Sequence, residues 1–90
     1  MDRRELRAAL GRAGVADGYY RIEGVHEPVP TPTDFLFLRQ ASDGGWETGA
    51  YERGTYEVIA RYPSEQAACE HLLRLLLRGA DGAGGHAVRG

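Results

Sequence analysis

The sequence has only one cysteine and no long apolar run, and each of these features excludes a class of site or protein. A single cysteine, Cys69, cannot form an internal disulfide or build a cysteine-based zinc site. The longest strongly apolar stretch, 72–77, is interrupted by Arg74 and is far shorter than the about 20 residues of a membrane span. The N-terminal segment has no apolar signal region either, so we expect a cytoplasmic protein.

An excess of positive charge is missing as well. Eleven arginines oppose 13 acidic residues, which gives a formal net charge of −2. Nucleic acids and anionic membranes attract basic surfaces, so the sequence predicts neither of them as a partner. Ninety residues form one domain with a small core, which leaves little stability to spare for a strained internal site. The composition therefore favours a surface function over a deep catalytic cleft.

The first third of the chain predicts a helix, a strand and a loop. Apolar residues at positions 6, 9, 10 and 13 have helical spacing, which predicts a helix over 2–13 that begins at Asp2 and ends at Gly14. The alternating aromatic segment 19–23 predicts a short strand. The three prolines of segment 26–34 predict a loop, because proline cannot donate a ladder hydrogen bond.

The rest of the chain predicts three strands and a second helix. Segments 35–39, 46–52 and 56–62 have strand character, and glycine-containing turns separate them. The second helix is predicted to begin at Ser64, to bury a stripe of leucines and to end at Gly79. The predicted fold is α+β: an N-terminal helix, a four-stranded antiparallel β-meander and a C-terminal helix packed on the sheet. Residues 1–78 form the single domain, and 79–90 form a flexible glycine-rich tail.

The pattern also predicts which side chains form the core. They are the apolar residues on the predicted inward faces of the strands and of the second helix. The predicted core consists of Ile22, Leu36, Leu38, Val58, Ala60, Leu72, Leu73 and Leu76.

No residue pattern predicts catalysis or metal binding. Cys69 and His71 are two positions apart on a helix and point in different directions, and Cys69 falls on the leucine stripe, which predicts a buried, inert thiol. The histidines at positions 26, 71 and 86 lack the spacing of metal ligands. The glycines lack the strand before and the helix after them that a phosphate loop needs. We therefore expect a non-enzymatic protein with no metal and no cofactor.

The segment 46–59 has the composition of a recognition surface. Trp, Tyr and Arg dominate protein-protein hot spots because they bury a large area and keep a polar group, and here they crowd two adjacent strands. Carboxylates in this segment have two other interpretations, cross-strand ion pairing or, for Glu47 with Glu57, acid-base catalysis. Trp46 is either the anchor of the surface or part of the core. The predicted partner-binding residues are Trp46, Glu47, Tyr51, Glu52, Arg53 and Glu57.

Several motifs together resemble a known group of proteins. They are the N-terminal RRELRAALGRAGV, the strand Tyr20-Arg21-Ile22, a Gly-Gly-Trp turn, Tyr-Glu-Arg-Gly at 51–54, and Pro-Ser-Glu-x-x-Ala-Cys-x-x-Leu-Leu at 63–73. The layout resembles small actinobacterial proteins encoded beside secreted polymorphic toxins, some of which are similar to the tuberculosis necrotizing toxin, an NAD glycohydrolase. The resemblance implies an immunity factor that neutralises a cognate toxin by occluding its active site.

A second hypothesis comes from a different class of protein. The chain is then a self-associating structural or scaffold module that uses the aromatic sheet face or the edge strand 19–23. The sequence is compatible with a monomer or a weak homodimer, and sedimentation of the isolated protein separates the two hypotheses.

Overall fold

The computed structural model describes the backbone of residues 1–89 and the side chains of residues 1–78. It contains helices and a four-stranded sheet, which confirms the α+β class. In chain order the elements are α1 (Arg3–Arg12), a 3₁₀ turn (Asp17–Tyr19), β1 (Tyr20–Ile22), β2 (Asp34–Gln40), β3 (Trp46–Glu52), β4 (Thr55–Tyr62) and α2 (Glu65–Arg89). Within residues 1–89, no helix is both long enough and apolar enough to cross a membrane.

The sheet has the strand order β1-β2-β3-β4 and is mixed, so the prediction of a fully antiparallel meander is wrong at β1. β1 runs parallel to β2, with Tyr20 beside Leu36 and Ile22 beside Leu38, whereas the other two pairs are antiparallel. The reason lies in the connection between them. After β1 the chain turns back, and Ile22 exchanges two backbone hydrogen bonds of 2.8 Å with His26. The proline-rich segment then returns to the starting end of β1 before β2 begins.

The helix α1 begins and ends where the sequence predicts. Asp2 accepts a hydrogen bond of 2.8 Å from the backbone nitrogen of Glu5, and the Glu5 carboxylate accepts one of 2.8 Å from the backbone nitrogen of Asp2. This reciprocal capping box satisfies two donors that a helix start otherwise leaves free. Gly14 follows the C-terminus with a φ of +78°, the conformation that favours glycine after a helix.

The helix α2 begins as predicted but continues beyond its predicted end. The Ser64 hydroxyl accepts a hydrogen bond of 3.2 Å from the backbone nitrogen of Ala67. The helix extends to Arg89, past Gly79, where the sequence predicts its end. Glycine costs a helix about 1 kcal/mol relative to alanine but keeps its backbone donor, so it weakens a helix without ending it. Side chains are described only for residues 1–78, so the predicted flexibility of 79–90 stays a prediction.

The core lies on one face of the sheet and contains side chains from both helices. Its buried residues are Leu6, Leu10, Val15, Tyr20, Ile22, Leu38, Trp46, Ala68, Cys69, Leu72 and Leu76. Four of the predicted core residues belong to this cluster, and Leu36 and Leu73 are partly buried against it. Val58 and Ala60 are only half-buried and lie outside it. The register shift in β4 pairs Val58 with Gly49 on the opposite face of the sheet, and Ala60 lies on the edge strand β4.

Candidate protein-binding surface

The sheet face opposite the core carries a cluster of aromatic and charged side chains, which we call the open face. Strand alternation and the pairing register place seven aromatic or charged residues there, beside Gly49 and Val58: Phe35, Phe37, Arg39, Glu47, Tyr51, Tyr56 and Arg61. The buried residues of both helices all belong to the cluster on the other face. Within residues 1–78, therefore, no helix covers the open face.

The aromatic rings of the open face pack against one another in favourable geometries. Phe35 and Tyr51 stack with ring centroids 4.6 Å apart. Tyr56 meets Phe37 and Tyr51 edge-on, at 5.2 and 4.7 Å. Offset stacking and edge-to-face contacts are the arrangements that aromatic quadrupoles prefer. These contacts bury Phe37 completely, while Tyr56 stays 42% exposed.

The Glu47 carboxylate forms ion pairs with two arginines on this face. One of its carboxylate oxygens lies 2.9 Å from Arg39 Nε, and the other lies 3.2 Å from Arg61 Nη2. The Arg39 guanidinium in turn lies over the rings of Phe37 and Tyr56, at 4.9 and 5.2 Å from their centroids. Because Glu47 is only 6% exposed and both of its oxygens are engaged, it orients the arginines rather than offering a contact of its own. The cross-strand ion pairing considered from the sequence is therefore present at Glu47.

Trp46 is a core residue. It lies on the helix-covered face, where it belongs to the buried cluster. The Arg3 guanidinium lies 5.1 Å from the centre of its ring, and Arg3 Nε also pairs with Glu65 at 3.0 Å. Of the two roles that the sequence left open for Trp46, the structure places it in the core.

The four remaining predicted residues lie together at the end of the β3–β4 hairpin, which we call the hairpin end: Tyr51, Glu52, Arg53 and Glu57. Arg53 adopts a left-handed conformation with a φ of +50°, and its backbone nitrogen donates a 3.1 Å hydrogen bond to the carbonyl oxygen of Thr33. Glu52, Arg53 and Glu57 are exposed. Glu57 pairs with Ala50 on the helix-covered face, so it cannot act with Glu47 as a catalytic pair.

The predicted partner-binding residues omit five aromatic or charged members of the open face: Tyr56 and Arg61 on β4, and Phe35, Phe37 and Arg39 on β2. The signal that could have found the three β2 residues is their alternation along the strand, which puts them on the same face as Tyr51 once the register with β3 is known. A further apolar side chain, Ile59, is 54% exposed beside the β-bulge of β4. Because Phe35 and Phe37 lie outside the segment 46–59, the open face is more apolar than that segment indicates by itself.

The thiol and the imidazole of α2 do not form a nucleophile-base pair. Burial and the nearby Glu65 carboxylate raise the pKa of Cys69 to about 11. The His71 ring lies instead against β3, with Nδ1 2.8 Å from the Thr48 hydroxyl. Burial and the positive charges of Arg74 and Arg78 lower the pKa of His71. In the part of the chain that the structure describes, no three His, Cys, Asp or Glu side chains form a group that could hold a metal ion.

Comparisons of this chain with protein-family models, with curated proteins and with solved structures found no match. The likeness to proteins encoded beside polymorphic toxins thus stays a hypothesis that comes from the sequence motifs. What the protein binds is inferred below from the chemistry of its own surfaces.

Proposed function

We propose that this protein is a non-enzymatic binding domain, and that it binds a cognate toxin and occludes the active site of that toxin. The open face is the observation that carries the proposal. A sheet face that meets water usually carries polar side chains, whereas this one presents Phe35, Tyr56 and a guanidinium that lies over aromatic rings. Aromatic residues and arginine are enriched in protein interfaces because they bury area with few rotatable bonds.

The charge around the hairpin end favours a basic partner. Three carboxylates, Asp34, Glu52 and Glu57, are exposed there against one arginine, Arg53, so negative charge is in excess. Arg39 and Arg61 on the open face are paired with Glu47. Exposed carboxylates steer association toward a positively charged surface and raise the rate of encounter. A toxin with a basic substrate cleft is such a partner, and occlusion of that cleft requires no catalytic group in the inhibitor.

Self-association is the competing hypothesis, and the predicted edge strand offers it little surface. The predicted edge segment 19–23 contributes only the three residues of β1, and Ile22 already bonds to His26 on its outer side. The open face and the eight-residue edge strand β4 offer a second copy more contact than β1 does. A stable dimer through the open face would leave it unavailable to a toxin.

The test begins with capture of partners by the tagged protein from its native cytosol and culture fraction, followed by mass spectrometry. A captured protein supports the proposal only if it has a toxic activity that the wild-type protein inhibits. The double variant Tyr51→Ala/Arg53→Ala should then bind that partner about tenfold or more weakly, because truncation of hot-spot residues costs this much.

A matched control variant is Arg4→Ala/Arg12→Ala, which removes two exposed side chains from α1. We expect it to inhibit the partner as the wild type does. Circular dichroism and thermal unfolding check that Tyr51→Ala/Arg53→Ala keeps the fold. Wild-type affinity in the folded hairpin variant would exclude this surface, and recovery of the protein alone as a dimer would favour self-association.

A further inference from the structure

A groove of about 1060 Å³ opens at the hairpin end, between the sheet and α2. Its apolar lining comes from three parts of the chain: the segment after α1, the ends of β2 and β3, and α2. The main apolar residues are Val15, Leu36, Ala50, Leu75 and Leu76. Its volume lies at the upper end of the range of about 300–1000 Å³ that is usual for small-molecule pockets.

Every charged side chain that lines this groove is a carboxylate: Asp34, Glu52 and Glu57. All three are exposed, and within residues 1–78 none of them forms an ion pair. Elsewhere in the described structure, carboxylates such as Glu47 and Glu65 are paired with arginines. The groove therefore combines an apolar wall with uncompensated negative charge, which complements a ligand that is both apolar and cationic.

The groove is also continuous with the proposed binding surface. Phe35 and Tyr51 stack on each other in the open face, and both line the groove. A protein seated on the open face reaches the groove by extending around this end of the sheet, past Phe35 and Tyr51. This continuity favours a polypeptide segment over a free organic cation as the occupant.

We propose that the groove receives a basic segment of the partner protein, with a large apolar side chain against Leu36 and Leu76 and with arginine or lysine at the carboxylates. This inference deepens the proposed function and rests on it in one respect, that the partner is a protein. The apolar side chains of the segment contribute buried apolar area. Its cations speed the encounter with the groove and fix the position of the segment in it.

The first probe is a short synthetic peptide that alternates arginine with leucine, labelled with a fluorophore and titrated with the full-length protein. Two control peptides replace either the arginines by glutamate or the leucines by serine. Fluorescence anisotropy should show binding of the arginine-leucine peptide and about tenfold or weaker binding of both controls. Binding should weaken as salt is added, because exposed charges are screened.

The carboxylates are tested by Glu52→Gln/Glu57→Gln. We expect about tenfold weaker peptide binding and a shallower dependence on salt. The matched control, Asp17→Asn/Glu70→Gln, makes the same change in net charge outside the groove and should bind the peptide as the wild type does. Equal losses in the two double variants would show a general charge effect and would overturn the inference.

The position of the peptide is tested separately by amide chemical shifts. Shifts should change at Ala50, Leu75 and Leu76 on addition of the arginine-leucine peptide. Changes confined to α1 or to the centre of the open face would place the peptide elsewhere and would overturn the inference. A concentration-dependent dimer that Glu52→Gln/Glu57→Gln disrupts would identify a second copy as the occupant, with the same consequence.

Failure of this inference differs from failure of the proposed function. If the peptide binds the groove but no inhibited toxin is captured, the groove chemistry stands and the toxin hypothesis fails. If a toxin is captured through the open face and the peptide does not bind, the toxin hypothesis stands and the groove inference fails.

Discussion

The ring of Phe37 lies directly over the backbone of Gly49 at the centre of the open face. A Cβ atom added to Gly49 would lie 2.7 Å from Phe37 Cζ, and closer still to the carbonyl oxygen of Glu57. Real Cβ contacts are never this short, so only glycine fits between the ring and the neighbouring strand. Gly49 also adjoins the irregular register between β3 and β4. The packing of the aromatic cluster therefore requires glycine at position 49.

Gly49→Ala is expected to destabilise the protein by about 3 kcal/mol, because the added methyl group must displace both Phe37 and the backbone of β4. Gly11→Ala provides the opposite control. Its added methyl group meets nothing closer than Arg7 Nη1 at 3.6 Å, and alanine in a helix is about 0.5–1 kcal/mol more favourable than glycine. Urea unfolding followed by Trp46 fluorescence measures both variants. Equal stability of the two would contradict the packing described here.

Glu47→Gln should reduce the free energy of unfolding by about 1–2 kcal/mol, because it removes the charge that holds Arg39 and Arg61. The loss stays below that of a fully buried ion pair, since the two arginine side chains are 33% and 68% exposed. Glu70→Gln is the control, because Glu70 accepts only a 3.3 Å bond from Gln66 within the described side chains. We expect that control to change stability by less than about 0.5 kcal/mol. The same urea unfolding experiment measures both variants. A smaller loss in the free energy of unfolding for Glu47→Gln than for Glu70→Gln would argue against a structural role for Glu47.

The elements that sequence reasoning located well have local signals. The capping residue Asp2 and the following Gly14 mark both ends of α1, and both act as predicted. The turn at Asp43-Gly44 separates β2 from β3: Asp43 accepts a 3.0 Å hydrogen bond from the backbone nitrogen of Gly45, and Gly44 has a φ of +92°. Each signal involves residues within a few positions of one another, so no knowledge of the tertiary structure is needed to find it.

The features that sequence reasoning missed depend on contacts between distant segments. β1 runs parallel to β2 because the chain turns back along the outer edge of β1 before β2 begins. The pairing of Ile22 with His26 sets this return, and the composition of the loop does not. The position of Trp46 in the core and the grouping of Phe37 with Tyr56 follow from the register of three strands. A shift of one residue in the strand pairing would put Trp46 on the open face and Phe37 on the core face. Hydrophobic periodicity alone does not fix this register.

Stability should fall as the pH decreases below 6.5, because His71 resists protonation in the folded state. Burial and the charges of Arg74 and Arg78 lower its pKa below the ordinary value of 6.5, and its ring faces Thr48 and Tyr62 on the sheet side. In the window between the folded and the unfolded pKa, the unfolded chain binds more protons than the folded one. Unfolding is then favoured by acid, and the contribution of His71 is fully present only above pH 6.5.

The measurement is urea unfolding at several pH values between about 7.5 and 5, a range in which ordinary carboxylates remain ionised. His71→Gln keeps a polar side chain beside Thr48 and removes the titration, so its stability should depend less on pH than that of the wild type. The other two histidines are present in both proteins and cancel in the comparison. The same pH dependence in both proteins would assign the effect to another group.

Cys69 should be unreactive in the folded protein and should report its unfolding. The side chain is completely buried, and desolvation together with the Glu65 carboxylate raises its pKa to about 11, so the thiolate that attacks alkylating reagents is scarce at neutral pH. Labelling with iodoacetamide should therefore be slow in buffer and should accelerate along the urea transition measured by Trp46 fluorescence. Ser42→Cys in the Cys69→Ala background provides an exposed thiol, which should be labelled at once in the folded state. If Cys69 were labelled as fast as the thiol at position 42 in the absence of urea, α2 would open locally, and the tight cluster of Cys69 with Leu6 and Leu72 would not describe the protein in solution.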